Sequence, residues 1–173
     1  STETDVGAQA STMPGFETSA LPSSPTPRPA AASVLITDSE EFADAVDAAL
    51  ARRADATKHR ERVHTALTGP QSGTVLVDNL DAAIAVANAY GAEHLEIQTA
   101  NAASDARRIY NAGAIFVGPY NPVPLGDYMA GSNHVLPTGG TASFASGLNV
   151  HAFIKSVQEI EYTKDAMAQM YEP

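Results

Sequence analysis

The sequence predicts an α/β fold, a Rossmann-like layer in which a mostly parallel sheet carries helices on both faces behind a disordered N-terminal lead-in. Three observations predict it. Short apolar runs rich in β-branched residues alternate with longer segments of helical periodicity over residues 33–118. Polar capping residues follow the runs and glycines close the helical segments, so the rhythm reads β-α-β-α-β-α-β. Ahead of this pattern, residues 1–32 are rich in Ser, Thr, Pro and Ala, with Pro22, Pro25, Pro27 and Pro29 closely spaced and no apolar periodicity. The chain therefore divides into a disordered or linker-like lead-in, 1–32, and an α/β domain, 33–173.

Each element has its own signal. Ser33-Val34-Leu35-Ile36-Thr37 reads as a strand, and Asp38 with Glu41 three residues on has the pattern of a capping box. The helix it opens is expected to run from Ser39 to about Leu67, with Phe42, Val46, Ala49 and Leu50 on one stripe and Gly69-Pro70 as its stop. Thr74–Val77 is a second strand; Asp78 is expected to cap a helix lined by Leu80, Ile84, Val86 and Ala87, which Gly91 closes. A third strand is expected over Leu95–Thr99, a helix capped by Asn101 over Ala102 to about Tyr110, and a fourth strand over Ala114–Val117. The four strands are expected to form one parallel sheet, with residues 1–30 outside it. Residues 119–147 read as a long Pro- and Gly-rich loop, a type that is usually functional in a compact domain. Val150–Ile154 and Val157–Tyr162 have the character of a short helix or strand pair, and Thr163–Met170 begins a helix.

Composition narrows the function classes. At 173 residues and 44% apolar content the chain suits one soluble domain. A formal net charge of -10 argues against a nucleic-acid or anionic-membrane partner. The absence of cysteine excludes disulfides and thiolate metal sites, leaves His, Asp, Glu and amide oxygens as ligands, and fits a reducing cytoplasm. No apolar run approaches the roughly 20 residues of a spanning helix, and the N-terminus lacks the basic and apolar regions of a signal peptide. A start at Ser1 and a stop at Tyr171-Glu172-Pro173, just after helix-like residues begin, suggest boundaries set by truncation.

No Gly-x-Gly-x-x-Gly fingerprint or P-loop follows any strand, so function has to be argued from side chains. Among the five histidines, His59 and His64 sit on a charged helix and read as solvated, and His151 reads as structural or exposed. His94 differs, because Glu93-His94 fixes a carboxylate beside an imidazole at the edge of a rigid element, a pairing suited to acid–base work. A half-buried turn pair is the alternative, and ligands of parallel sheets gather at the carboxyl ends of strands, whereas this pair precedes its expected strand. Asp127 and His134, seven residues apart in the Gly/Pro-rich loop, could ligate zinc or hold a substrate, or could serve as polar turn residues.

Taken together, Tyr90-Gly91-Ala92-Glu93-His94-Leu95-Glu96-Ile97-Gln98-Thr99, then Asn111-Ala112-Gly113-Ala114-Ile115-Phe116-Val117-Gly118, then the run from Gly126-Asp127-Tyr128 through Gly131-Ser132-Asn133-His134 to Thr138, resemble the core of histidinol dehydrogenases. The resemblance extends from about Ser33 to Glu161-Tyr162. It implies an enzyme that oxidises L-histidinol through L-histidinal to L-histidine with NAD and Zn2+, in histidine biosynthesis, as a homodimer. It further implies Glu93 and His94 as the acid/base pair, Asp127 as a zinc ligand that also contacts substrate, and His94 and His134 as substrate contacts. In this family a Gln-x-x-His pair supplies two more zinc ligands. Here the corresponding residues are Gln9-Ala10-Ser11-Thr12, so Gln9 is a candidate ligand and Thr12 stands where the His belongs. The nucleotide-binding domain of the family and its C-terminal tail have no counterpart in this sequence, so no residue is assigned to NAD, and the chain alone is expected to be inactive. The alternative is a catalytically inactive binding or dimerisation module.

Overall fold

The computed structural model describes residues 7–11 and 31–171. Five strands, β1 (Gly7–Ser11), β2 (Ser33–Thr37), β3 (Gly73–Leu76), β4 (Ala92–Gln98) and β5 (Ala112–Val117), form one sheet in the order β3-β2-β1-β4-β5. The helices are α1 (Glu40–Ala56), α2 (Arg60–Leu67), α3 (Leu80–Tyr90), α4 (Ala102–Asp105), α5 (Val123–Tyr128) and α6 (Lys164–Met170). β2 pairs with β3 and β4 with β5 in parallel, while β1 pairs antiparallel with both β2 and β4. The Rossmann-like α/β expectation holds, and β2, β3, β4 and β5 all run the same way.

One expectation is overturned. Gly7–Ser11 does not lie outside the sheet but occupies its centre, with Ser11 opposite Ser33 on one side and His94 on the other. The reason is backbone hydrogen bonding: two parallel pairs facing each other present unpaired edges, and any short segment that can extend between them satisfies both. The remainder of the expected lead-in, 1–6 and 12–30, falls outside the described residues.

Smaller differences have local causes. The long first helix is two, interrupted at Thr57–His59, where Thr57 leaves the helix with extended backbone angles. Ser39 rather than Asp38 caps α1, accepting from the Phe42 amide at 3.1 Å, and Asn79 rather than Asp78 caps α3, accepting from Ala82 at 2.9 Å. In both places the residue beside the expected cap is itself a good cap. The helix after Asn101 tightens after one turn into a 3₁₀ turn, Ala106–Arg108. Val150–Phe153 is likewise a 3₁₀ turn, and Val157–Tyr162 is neither helix nor strand. α6 starts as expected, capped by Thr163.

Alternation along the strands sorts the two faces. Val34 and Ile36 of β2 and Leu95 and Ile97 of β4 pack with Ala83 and Ala87 of α3 and Ala102 of α4, and Ile115 and Val117 of β5 join them. On the opposite face Leu35 meets Phe42, Val46 and Leu50 of α1 around a groove of about 300 Å³, and Phe116 of β5 lies under α5. Among the described residues no helix is long and apolar enough to cross a membrane.

Asn88, buried on α3, ties this helix to the entrance of β5. Its amide donates to the Arg108 carbonyl at 3.0 Å, and its side-chain oxygen accepts from the Tyr110 and Asn111 amides at 2.9 and 3.2 Å. Asn88→Ala would strand those backbone groups and should cost about 2–4 kcal/mol. Urea unfolding of the chain at unchanged m-value checks this; a loss below about 0.5 kcal/mol, the scale of an ordinary surface change, would show that the lock is not structural.

Candidate functional site

α3 ends at Gly91, whose left-handed φ of +62° turns the chain at once into β4. A side chain there would also press on the Gly140 carbonyl, 3.2 Å from an added Cβ. Because β4 starts at Ala92, Glu93 and His94 are strand residues, and the expectation that they precede their strand is corrected. β4 is extended this far by pairing with β1 on one side and β5 on the other, where Ser11 and Ala114 stand opposite His94.

Asp127 arrives from the other direction. After β5 the chain turns at Gly118, with φ +80°, whose amide donates to the Ile97 carbonyl at 2.9 Å. The Asn121 side chain donates to the Val117 carbonyl at 2.6 Å, and α5 then runs back along the sheet. At its start the Val123 amide donates to Glu96 Oε1 at 3.4 Å, and four residues later Asp127 reaches His94. The lengths agree: four helical residues rise about 6 Å and two strand residues, Glu96 back to His94, about 6.6 Å. Returning antiparallel to β4, α5 carries a carboxylate from the carboxyl ends of the strands to their amino ends.

His94 is 2% exposed and sits between two carboxylates. Glu93 Oε1 lies 3.7 Å from Nδ1, and Asp127 Oδ1 lies 3.7 Å from Nε2. Both separations exceed the 2.7–3.2 Å of a direct hydrogen bond. The imidazole stacks on Phe116, with ring centroids 5.9 Å apart and planes inclined by 27°. Burial pushes the Glu93 carboxyl above its ordinary range; the neighbouring His94 opposes that shift and the Asp127 charge adds to it. A pocket of about 290 Å³ opens beside Asp127, lined among others by Phe116, Asn121, Asn133 and Leu136.

Glu93, His94 and Asp127 are thus brought together, whereas His134 is exposed on the loop. Beside it Asn133 holds the loop in shape, donating to the Leu148 carbonyl and accepting from the Val135 amide. Gln9 lies in β1 with its Cα paired to those of Leu35 and Glu96; Thr12 falls outside the described residues. Among the described residues no group of three or more His, Asp or Glu side chains is placed to hold a metal ion. His59 and His151 are exposed, and the exposed His64 contacts Asp55 at 3.0 Å. Two residues at the site were not singled out from sequence, Glu96 and Phe116. The period of two along a strand, which puts Glu96 on the His94 side of β4, was the available signal.

Comparison with known proteins gives one answer. The pattern of the family described as Histidinol dehydrogenase matches residues 1–173. The histidinol dehydrogenase of Bifidobacterium longum is 63% identical over 137 residues, covering 79% of this chain and 29% of that protein. That of Mycobacterium bovis is 62% identical over 137 residues, covering 79% and 31%. The crystal structure of histidinol dehydrogenase from Elizabethkingia anophelis superposes with a TM-score of 0.67 at 28% identity, covering 79% of this chain and 31% of that one. The chain therefore spans about a third of the length of the relatives it matches.

The raised Glu93 carboxyl predicts a pH effect on stability. The native state holds the Glu93 proton more tightly than the unfolded chain, so this group's contribution is fully present below the ordinary carboxylate range and is lost as pH rises through the elevated native value. Glu93→Gln should remove that loss and make the chain more stable at neutral pH than the unsubstituted protein. Thermal unfolding of both from pH 4 to 8 checks it; a variant destabilised equally at every pH would contradict the shift.

Proposed function

The chain belongs to the histidinol dehydrogenase family, and from that premise we propose that it supplies the acid–base centre of an NAD-dependent oxidation of L-histidinol, through L-histidinal, to L-histidine. The observation that carries the proposal is the buried His94 imidazole flanked by Glu93 and Asp127. Removing a hydride from the alcohol carbon requires that the hydroxyl proton leave with it, and an imidazole can take that proton near neutral pH. His94 is assigned this role. Oxidising the aldehyde requires water to add first, and Glu93, beside the imidazole, is assigned to orient or deprotonate that water. Asp127 and His134 are assigned to substrate binding, and the pocket beside Asp127 gives the substrate room.

NAD supplies the hydride acceptor for each of the two oxidations when bound. No residue of this chain is assigned to hold it. Zinc, when bound, would orient the substrate rather than accept electrons. Of the roughly four donors a zinc centre needs, the described residues offer the Asp127 carboxylate, with Gln9 as a second candidate on β1. This set does not by itself fit a zinc centre, and no step above depends on the metal.

We also assign this chain to a homodimer. Support comes from the C-terminal stretch of the domain: Val150, Phe153, Ile154, Val157 and Ile160 are each more than half exposed, and α6 has no buried residue. Large apolar side chains exposed this close together suit an interface.

Two experiments test these readings. In a full-length polypeptide carrying this chain, His94→Asn should slow histidinol oxidation by about 10²- to 10⁴-fold. Glu93→Gln should leave the first hydride transfer largely intact and slow the second, so that aldehyde accumulates. Stopped-flow measurement of each hydride transfer checks this, and equal slowing of both by Glu93→Gln would overturn the division of labour. For the C-terminal stretch, sedimentation of the chain at micromolar concentration should give a dimer that Phe153→Ser combined with Ile160→Ser returns to monomer; a monomeric unsubstituted chain would refute the assignment.

A further inference from the structure

We propose that Phe116 is a positioning residue, a spacer whose ring sets the distance between the His94 imidazole and the Asp127 carboxylate. The inference rests on the roles given above to His94 and Asp127, but its geometry stands without them. Phe116 is 8% exposed on β5. One part of its ring stacks on His94. Its far edge meets Gly126, where a Cβ would stand 2.6 Å from Cε1 and 2.7 Å from Cζ. Gly126 directly precedes Asp127, so the height of the helix above the ring is also the height of the carboxylate.

At the Gly126 end of α5 a further contact, the hydrogen bond that Ser132 Oγ donates to the Gly126 carbonyl, is at 3.4 Å longer than an ordinary O–H···O bond, so the ring is the contact that fixes the height. The Asn121 and Val123 hydrogen bonds hold the beginning of α5 and the turn before it. Gly126 and Asp127 lie at the far end, where a small tilt about those anchors produces the largest displacement. The ring has little freedom to yield: its Cα is fixed by the pairing of Phe116 with Glu96, and rotating away would break the stack on His94. A methyl group at position 126 therefore has to lift the helix. Carbon atoms settle about 3.5–4.0 Å apart, so the lift is about 1 Å, and misplacement on that scale is enough to cost about 10²-fold in rate.

The role makes a reciprocal prediction that a merely structural contact does not. In a full-length polypeptide carrying this chain, Gly126→Ala should lower kcat by about 10²-fold. Phe116→Leu shortens the side chain just where the methyl intrudes, so Phe116→Leu with Gly126→Ala should regain at least about 10-fold of that loss. Structure determination or nuclear magnetic resonance on the 173-residue chain supplies a readout independent of turnover: the His94–Asp127 separation should widen in Gly126→Ala and narrow again in the double variant. Losses that simply add in the double variant, or a Gly126→Ala protein with unchanged kcat and separation, would overturn the spacer. Should Gly126→Ala fail to fold, the double variant decides, since it must then fold and turn over; failure of both overturns the proposal. An unsubstituted protein that cannot reduce NAD with histidinol would sink the functional reading instead, while the distances still judge the spacer.

Discussion

Pairing of β1 with both of its neighbours is the interaction on which the rest of the structure depends. β2 with β3 and β4 with β5 are separate two-stranded units, and a two-stranded unit is marginal in water by itself. The five residues Gly7–Ser11 join them into one sheet. Only then can α3 lie across residues of both units, with Val34 and Ile36 from one and Leu95 and Ile97 from the other beneath it. The same pairing reaches the chemistry, because Ser11 is opposite His94 and helps extend β4 to the residues that matter.

The location of the site follows from this arrangement together with α5. Parallel sheets usually gather ligands at the carboxyl ends of their strands, where loops converge. Here the chain leaves β5 at that end, turns at Gly118 and travels back over the sheet before delivering Asp127. Leu136 and Pro137 then pack against Gly113, where an added Cβ would stand 3.2 and 3.1 Å from them and 2.5 Å from the Glu93 carbonyl oxygen. His94 is buried on the other face of β4, against Phe116 and beneath the helix that carries Asp127.

Much of this was legible in the sequence, for reasons that vary from element to element. β2, β3 and β5 are apolar and β-branched, and a core strand of that composition announces itself. β1 does not: Gly-Ala-Gln-Ala-Ser has small residues and no β-branched or aromatic side chain, and it is a strand because of the edges beside it. The caps moved by one residue at Ser39 and Asn79 because adjacent polar residues compete on nearly equal terms. At the site, Glu93 and His94 were legible as a pair of side chains and Asp127 as a loop carboxylate. Their meeting, found at 3.7 Å, was implied by the family resemblance alone, since it depends on a reversal at Gly118 that no spacing along the chain encodes. Phe116 was hidden for a different reason, because an aromatic residue in an apolar strand is indistinguishable from core until its neighbours are known.

His94 and Asp127 stand on supports of very different strength. The imidazole belongs to an interior strand hydrogen-bonded on both sides, whereas the carboxylate rides on a six-residue helix tied down at its beginning by Asn121 and Val123 and toward its end by one long hydrogen bond from Ser132. Proteins open in cooperative pieces, and pieces with few buried contacts open first. On warming, α5 is therefore expected to open before the sheet does, with amide exchange in Leu125–Tyr128 ahead of exchange in β4. The distance between His94 and Asp127 is thus the part of the fold expected to give way first, while the strand that carries the imidazole is still paired.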